Sequence, residues 1–221
     1  MKNSECWYSE VCGRYREGCE HMCIRYTEMK YLMDNSGVSK NNQIPAVLKP
    51  DAVDLPAFKR LAEIKSNIVE FVDEGRSLYI TSDHVGNGKT SWALKLLLKY
   101  FDEVWAGNGC RVRGVFVRVP TFLAKCKEFK TVDPQFEELK NNLMTVDLVV
   151  WDDIASTDVS SYDIGQLTRF IDTRVGDGLS NIYTGNIPRR DELEKFLGVR
   201  LTSRIMTSGT EIIEFKGGDR R

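Results

Sequence analysis

The stretch from Ser77 to Phe101 constrains the fold of this chain more than any other part of the sequence. It begins with a short apolar run, SLYIT, continues through a glycine-containing turn, SDHVGNG, and ends in an amphipathic run, KTSWALKLLLKYF. Short β-branched and aromatic runs predict strands, whereas apolar residues at helical spacing predict a helix. A strand, a glycine turn and a helix in immediate succession are typical of an α/β domain.

The turn has most of the pattern G-x-x-x-x-G-K-[ST], in which backbone amides and the start of a helix bind phosphate groups. Gly88, Lys89 and Thr90 supply the end of the pattern, but Asp83 stands where its first glycine belongs. The turn there can demand a positive φ, which Asp tolerates better than most residues, so the departure weakens the motif without abolishing it. The loop residues predicted to bind nucleotide are Gly86, Asn87, Gly88, Lys89, Thr90 and Ser91.

The rest of the chain alternates between helical and strand-like runs. Residues 57–75 predict one amphipathic helix, and the strand-like runs GVFVRVP, TVDLVVWDD, SNIYTGN and TEIIEF follow the glycine turn with helical stretches between them. This alternation predicts an α/β fold with a mostly parallel sheet.

Two of the strand-like runs end in polar residues that suit phosphate chemistry. One ends in Asp152 and Asp153, and the other ends in Asn186. We predict that Thr90 and Asp152 hold Mg²⁺, that Asp153 polarises the attacking water, and that Asn186 orients that water or the γ-phosphate. Lys89 would reach the β- and γ-phosphates. Because Asp153 is one methylene shorter than the Glu usual in its role, we expect slow hydrolysis.

Two arginines late in the chain have the spacing of one helical face. Arg200 and Arg204 are at positions i and i+4 in the run GVRLTSRIM. An arginine there can reach a γ-phosphate bound to a neighbouring subunit. We assign this catalytic role to Arg204 and keep Arg200 as the alternative.

In this order and spacing, the motifs resemble those of AAA+ ATPases, and most closely those of DnaC/DnaI-type replicative helicase loaders in a small, phage-like version. The segments that carry the resemblance are VGNGKTSWA, LVVWDDI, YTGN and RLTSRI. The resemblance implies a parallel-sheet P-loop core without a helical lid, and ATP with Mg²⁺ as cofactors. It also implies weak binding to single-stranded DNA and several copies assembled on a hexameric replicative helicase.

Length and charge narrow the function further. With 221 residues and a formal net charge of −1, the chain fits one ordinary domain with a small appendage. Nucleic acid would therefore bind a local basic patch, because the overall field does not attract phosphate. No apolar run is long enough for a membrane span and the first residues lack a secretory signal, so we expect a cytoplasmic protein.

The cysteines of the N-terminal segment are clustered at Cys6, Cys12, Cys19 and Cys23. In a reducing compartment such a cluster favours a metal site over disulfides, and we predict that the four thiolates hold one zinc ion. The alternative is that these cysteines stay reduced and pack as small hydrophobic residues.

These observations predict three parts of the chain. Residues 1–35 would form a zinc module that docks a partner, residues 36–56 a linker, and residues 57–221 the ATPase domain.

Three other functions are weighed against a helicase loader. A nucleotide or small-molecule kinase is disfavoured, because we find no acceptor-site motif and no lid arginines. A transposition helper ATPase of the IstB type shares the core but would use a different N-terminal module. An ATP-binding switch with little turnover stays open because of the short side chain of Asp153.

Overall fold

The architecture is built on a five-stranded sheet in which neighbouring strands run parallel. The computed structural model describes residues 6, 9, 12, 19, 23–44, 46–106, 109–128, 133–155 and 159–219. The strands are β1 Ser77–Thr81, β2 Gly114–Arg118, β3 Leu148–Asp152, β4 Ser180–Gly185 and β5 Thr210–Glu214. Their order across the sheet is β2-β3-β4-β1-β5. The predicted α/β class with a parallel sheet is therefore confirmed.

Helices fill most of the connections between these strands. The described ones are α1 Ile24–Asp34, α2 Leu55–Ser66, α3 Ile68–Asp73, α4 Lys89–Val104, α5 Val119–Cys126, α6 Pro134–Thr145, α7 Ser161–Gly176 and α8 Arg190–Ile205. The prediction of one helix over residues 57–75 is wrong, because Asn67 leaves the helical conformation (φ −114°, ψ 31°) and separates α2 from α3. In the described part of the chain, no helix combines the length and apolar character needed to cross a bilayer.

The two faces of the sheet bury two separate clusters of side chains. Along β3, Leu148 and Val150 belong to one cluster, whereas Val149 and Trp151 belong to the other. Helices α1 to α4 cover the first face, and helices α5 to α8 cover the second. Every residue of β3 and β4 is buried. Burial on both faces explains why these strands appear in the sequence as nearly continuous apolar runs.

The strand register aligns the carboxyl ends of the central strands. Thr81 lies opposite Gly185, and Arg118 lies opposite Asp152. The chain segments that follow β1, β3 and β4 therefore leave the sheet at the same edge. This is the edge at which open parallel sheets bind ligands.

Helix α1 packs against α4 as part of the first cluster. Arg25 of α1 forms an ion pair with Asp102 of α4, and its guanidinium lies 5.5 Å from the centre of the Trp105 ring. After the helix, the backbone N–H of Phe116 on the edge strand β2 donates a hydrogen bond to the carbonyl of Ser36 at 2.7 Å. The buried apolar residues of α1 are Met29, Leu32 and Met33.

The segment predicted as a linker contacts the rest of the chain near both of its ends. Val38 is buried near the start of the segment. Near its end, the buried carboxylate of Asp54 accepts hydrogen bonds from the backbone N–H groups of Lys216 (2.7 Å) and Gly217 (3.2 Å). Most of the residues before position 23 lie outside the described residues. The proposed boundaries between module, linker and domain stay predictions.

A close approach of two turns makes Gly75 a test of this packing. Gly75 has a φ of +65°, and a Cβ placed there would lie 2.0 Å from the carbonyl oxygen of Gly178. We expect Gly75→Ala to lower the free energy of unfolding by about 2–4 kcal/mol, because it combines a left-handed backbone with overpacking. Urea denaturation measures the change.

The matched control for this substitution is Gly165→Ala. Gly165 lies within α7 and is exposed, and beyond its own helix backbone a Cβ placed there would meet no heavy atom within 4 Å. Replacing a helical glycine with alanine should stabilise the protein by roughly 0.5–1 kcal/mol. Equal effects of the two substitutions would contradict the packing described for Gly75.

Candidate nucleotide-binding site

The glycine turn between β1 and α4 has a backbone that only glycine adopts easily. Gly86 and Gly88 have φ values of 74° and 96°. A Cβ on Gly88 would meet only the side chain of Leu48, at an ordinary distance of 3.6 Å, so the backbone conformation is what requires glycine there. Gly88 directly precedes α4, and the first amides of that helix therefore border the turn.

Side chains of the turn hold its shape. The buried amide of Asn87 donates a hydrogen bond to the hydroxyl of Ser82, which also accepts one from the backbone N–H of His84 at 3.0 Å. The ammonium of Lys89 donates to the carbonyl of His84 at 2.8 Å and to Oδ1 of Asn87 at 3.1 Å. Burial lowers the pKa of Lys89, and the nearby charges of Asp153 and Asp152 oppose this shift.

Asp83 does not have the positive φ that its place in the motif can demand. Among the described residues, the non-glycine residues with positive φ are Cys110 and Asp153. The turn therefore makes no demand at Asp83 that only a glycine would satisfy. The left-handed conformation lies instead at the end of β3.

Asp152, at the end of β3, is fully buried beneath the turn. Its Oδ1 accepts hydrogen bonds from the hydroxyl of Thr90 at 2.7 Å and from the hydroxyl of Thr184 at 2.8 Å. Its Oδ2 accepts none from the described residues, and the nearest cation among them is Nε of Arg118 at 3.9 Å. Burial raises the pKa of the Asp152 carboxyl, while the hydrogen bonds from Thr90 and Thr184 oppose this shift.

These oxygens fit a magnesium ion. Mg²⁺ in phosphate-transfer sites takes one or two protein oxygens and completes its shell with phosphate and water. The hydroxyl of Thr90 and the carboxylate of Asp152 are such a pair. Oδ2 of Asp152, which accepts no hydrogen bond from the described residues, leaves acceptor capacity for a cation.

Asp153 follows directly and has a left-handed backbone with φ 60°. A non-glycine residue in this region costs roughly 1 kcal/mol or more, and such residues cluster at functional sites. Its backbone N–H donates to the hydroxyl of Thr184 at 2.9 Å. Asn186 directly follows β4, the strand that neighbours β3 in the sheet.

One cavity at the carboxyl edge of the sheet collects most of the predicted site residues. All six predicted residues of the turn line it together with Asp153 and Asn186, and Asp152 is joined to it through Thr90. The full lining consists of Val85, Gly86, Asn87, Gly88, Lys89, Thr90, Ser91, Arg118, Asp153 and Asn186. Backbone amides, two cationic side chains and magnesium-type oxygens in one cavity suit a nucleoside triphosphate.

The two candidate finger arginines lie elsewhere, on α8, and do not line this cavity. Both pair with Asp172 of α7. Arg200 donates to Oδ2 at 2.6 Å through Nη2, and Arg204 donates to Oδ1 at 2.6 Å through Nε. These contacts lower the pKa of the Asp172 carboxyl against the opposing effect of burial. Their place is compatible with action on a neighbouring subunit and excludes contact with the cavity of their own chain in this conformation.

The predicted zinc site is not supported. In the described part of the chain, which includes Cys6, Cys12, Cys19 and Cys23, no three His, Cys, Asp or Glu side chains are close enough together to hold a metal ion. Cys6 and Cys12 are partly buried and pack against the first hydrophobic cluster. Cys23 is exposed and directly precedes α1. The packing of Cys6 and Cys12 fits the alternative of reduced cysteines acting as small hydrophobic residues.

Comparison with known proteins addresses the fold. No protein-family model matches the chain, and no curated protein matches its sequence. A crystal structure of the DnaC helicase loader matches with a TM-score of 0.65 at 18% identity, over 80% of this chain and 100% of that chain. A crystal structure of DnaI matches with a TM-score of 0.62 at 20% identity, over 83% and 94%. The chain has the fold of DnaC-type helicase loaders.

Replication initiators share the same architecture. AMPPCP-bound DnaA from Aquifex aeolicus matches with a TM-score of 0.58 at 17% identity, over 78% of this chain and 50% of that chain. The chain therefore spans about half the length of that DnaA structure. At these identities the likeness concerns the fold alone.

Sequence reasoning missed two residues of the site. Arg118 belongs to a basic run that has the composition of a solvated surface, yet it lines the cavity. The signal in the sequence is that Arg118 is the last residue of an apolar strand. In the structure β2 pairs with β3, and Arg118 therefore lies opposite Asp152. Thr184 lies inside the YTGN motif, in which the sequence pattern singles out Asn186. The hydroxyl contacts of Thr184 become visible only when β4 lies beside β3.

The position of Arg118 predicts a role in binding phosphate. We expect Arg118→Gln to weaken binding of a fluorescent ATP analogue about tenfold, because a hydrogen bond to a charged group contributes roughly 1.5 kcal/mol or more. The control is Arg111→Gln, which makes the same charge change before β2, where Arg111 pairs with Asp147. Equal loss of affinity in both variants would show a general charge effect and contradict a direct contact.

Proposed function

We propose that this protein is an ATP-dependent loader that delivers a replicative hexameric helicase onto single-stranded DNA during DNA replication. The observation that carries the proposal is the cavity beneath the glycine turn, where Thr90 contacts the buried Asp152 on a sheet with the loader-type fold. The DnaC and DnaI structures that share this fold support the choice of partner.

The nucleotide is proposed to be ATP with Mg²⁺. The turn amides and Lys89 would bind the phosphates, and Arg118 would add a second positive charge. Thr90 and Asp152 would hold the ion, which neutralises phosphate charge when bound. The ammonium of Lys89 already lies at the turn, where it donates to the carbonyl of His84 and to Oδ1 of Asn87. Phosphate oxygens can replace these acceptors.

Hydrolysis is proposed to depend on Asp153 and Asn186. Both line the cavity, and a carboxylate at this edge can polarise a water while an amide orients it. Asp153 has a shorter reach than Glu, so turnover should be slow. The short side chain of Asp153 also supports a second candidate function, an ATP-binding switch that acts through bound nucleotide with little turnover.

Binding of single-stranded DNA is proposed as a weak, secondary property. A structure of DnaA bound to AMPPCP and single-stranded DNA matches this chain with a TM-score of 0.56 at 18% identity, over 86% of this chain and 52% of that chain. The nearly balanced charge of the present chain favours delivery of the DNA-binding helicase over tight DNA binding by the loader itself.

Arg204 is proposed to complete the nucleotide site of an adjacent copy. In the single chain it pairs with Asp172 and lies outside the cavity, so it can contribute to hydrolysis only in an assembly. We expect Lys89→Ala and Arg204→Ala to be inactive separately and to regain some ATPase activity when mixed, since each supplies what the other lacks. No recovery at any mixing ratio, with both variants folded and associating, would remove the assignment.

The function itself is tested with a purified replicative hexameric helicase and single-stranded DNA labelled with a fluorophore. We expect the wild-type chain with ATP to increase the amount of helicase on DNA, and Lys89→Ala to lose this activity, because the ammonium is the main side-chain partner of the phosphates. Lys95→Ala on the same helix α4, outside the cavity, is the control.

Three outcomes separate the candidates. Delivery that requires ATP and a functional Lys89 supports the loader. Equal delivery with ATP and with AMPPCP, together with undetectable hydrolysis, supports the switch. Absence of helicase binding under every nucleotide condition would remove both.

A further inference from the structure

The hydroxyl of Thr184 joins the two acidic residues of the site. Thr184 is fully buried near the end of β4. It lies 2.8 Å from Oδ1 of Asp152 and 2.9 Å from the backbone nitrogen of Asp153. The amide can only donate, so the hydroxyl oxygen accepts from Asp153 and its single proton is left for the carboxylate of Asp152. The geometry therefore fixes the direction of both hydrogen bonds.

A second contact from the same residue pins the chain just beyond the acids. The backbone N–H of Ile154 donates to the carbonyl of Thr184 at 2.9 Å. Together the hydroxyl and the carbonyl of Thr184 hold two successive amides across from β4. These contacts hold Asp153 in a left-handed conformation, with φ 60°, that non-glycine residues rarely adopt. This conformation directs the chain so that Asp153 lines the cavity.

The chain after Thr184 is held from the opposite side. The hydroxyl of the buried Tyr79 on β1 donates to the carbonyl of Ile187 at 2.8 Å. Asn186, which lines the cavity, lies between these two attachment points. Asn186 therefore lies on a short segment that hydrogen bonds hold at both ends, at Thr184 and at Ile187.

We propose that Thr184 is a positioning residue that fixes Asp152 and Asp153 relative to each other and to Asn186. The proposal rests on the ATPase activity proposed above and adds a residue to it. Thr184 is buried and does not itself line the cavity. It acts by holding the carboxylate of Asp152 against Thr90 and the backbone of Asp153 in its left-handed turn.

Two substitutions separate the hydroxyl from the shape of the side chain. Thr184→Val keeps the branched shape and removes both hydroxyl hydrogen bonds, whereas Thr184→Ser keeps the hydroxyl and removes the methyl group. We expect Thr184→Val to lower kcat about tenfold or more and to raise KM for ATP in the presence of Mg²⁺, and Thr184→Ser to recover most of both wild-type values. A role limited to packing would give the reverse order.

The matched control is the neighbouring residue. Tyr183 is fully buried, and its hydroxyl has no hydrogen-bond partner among the described residues. Tyr183→Phe therefore removes a buried hydroxyl from the same strand without breaking a hydrogen bond. We expect its kcat and KM to equal those of the wild type. Urea denaturation of all four proteins shows whether each variant is folded under assay conditions.

A second measurement keeps this proposal distinct from hydrolysis as such. Affinity for AMPPCP is measured with and without Mg²⁺ for wild type, Thr184→Val and Thr184→Ser. We expect the three proteins to bind AMPPCP equally without Mg²⁺, and Thr184→Val alone to lose most of the affinity gained with Mg²⁺. Such a loss supports the role of Thr184 even if the wild type does not hydrolyse ATP, which would count against the proposed ATPase only.

The proposal is overturned if a folded Thr184→Val protein keeps both the wild-type kcat and the wild-type response to Mg²⁺. It is also overturned if Thr184→Ser is as impaired as Thr184→Val, since the hydroxyl would then not be the decisive group. A wild type that neither hydrolyses ATP nor gains affinity with Mg²⁺ would overturn this proposal together with the proposed function.

Discussion

The buried carboxylate of Asp152 is the contact on which the nucleotide site depends. A fully buried charge is costly unless hydrogen bonds or ions compensate for it. One of its oxygens, Oδ1, accepts two hydrogen bonds. They come from the hydroxyl of Thr90 at the start of α4 and from the hydroxyl of Thr184 near the end of β4. Hydrogen bonds to a single oxygen atom therefore connect helix α4 with strands β3 and β4. The same hydroxyl of Thr184 also holds the backbone of Asp153.

Much of the fold could be predicted because its signals are local. Strands buried on both faces appear as apolar runs, and the glycine turn is marked by Gly88, Lys89 and Thr90. The polar residues after β3 and β4 could be placed together because parallel strands end at one edge. Arg118 and Thr184 were not predicted as residues of the site, because their roles depend on the order of the strands in the sheet. The order of the strands along the chain does not determine their order in the sheet, which is β2-β3-β4-β1-β5.

The predictions that the structure does not support have physical causes of the same kind. The four clustered cysteines suggest a shared metal ion, but spacing along the chain does not decide which side chains converge, and Cys6 and Cys12 pack on the hydrophobic core. The helical pattern over residues 57–75 continues through Asn67 although the backbone does not. The motif position can demand a left-handed conformation at Asp83, but Asp83 does not have one. The left-handed conformation occurs at Asp153, where contacts with Thr184 stabilise it.

The hydrogen bond between Phe116 and Ser36 has a consequence for how the sheet avoids pairing with other chains. Strand β2 is an outer strand of the sheet, and an exposed outer strand offers its amides as a template for another chain. The carbonyl of Ser36 accepts a hydrogen bond from one of those amides. Met29 and Leu32 of α1 belong to the same hydrophobic cluster as Phe116 of β2 and cover part of its apolar surface. A shortened chain that begins at residue 57 would lose this cover. It would present both an open strand edge and an uncovered apolar patch on α4, and would be prone to aggregate.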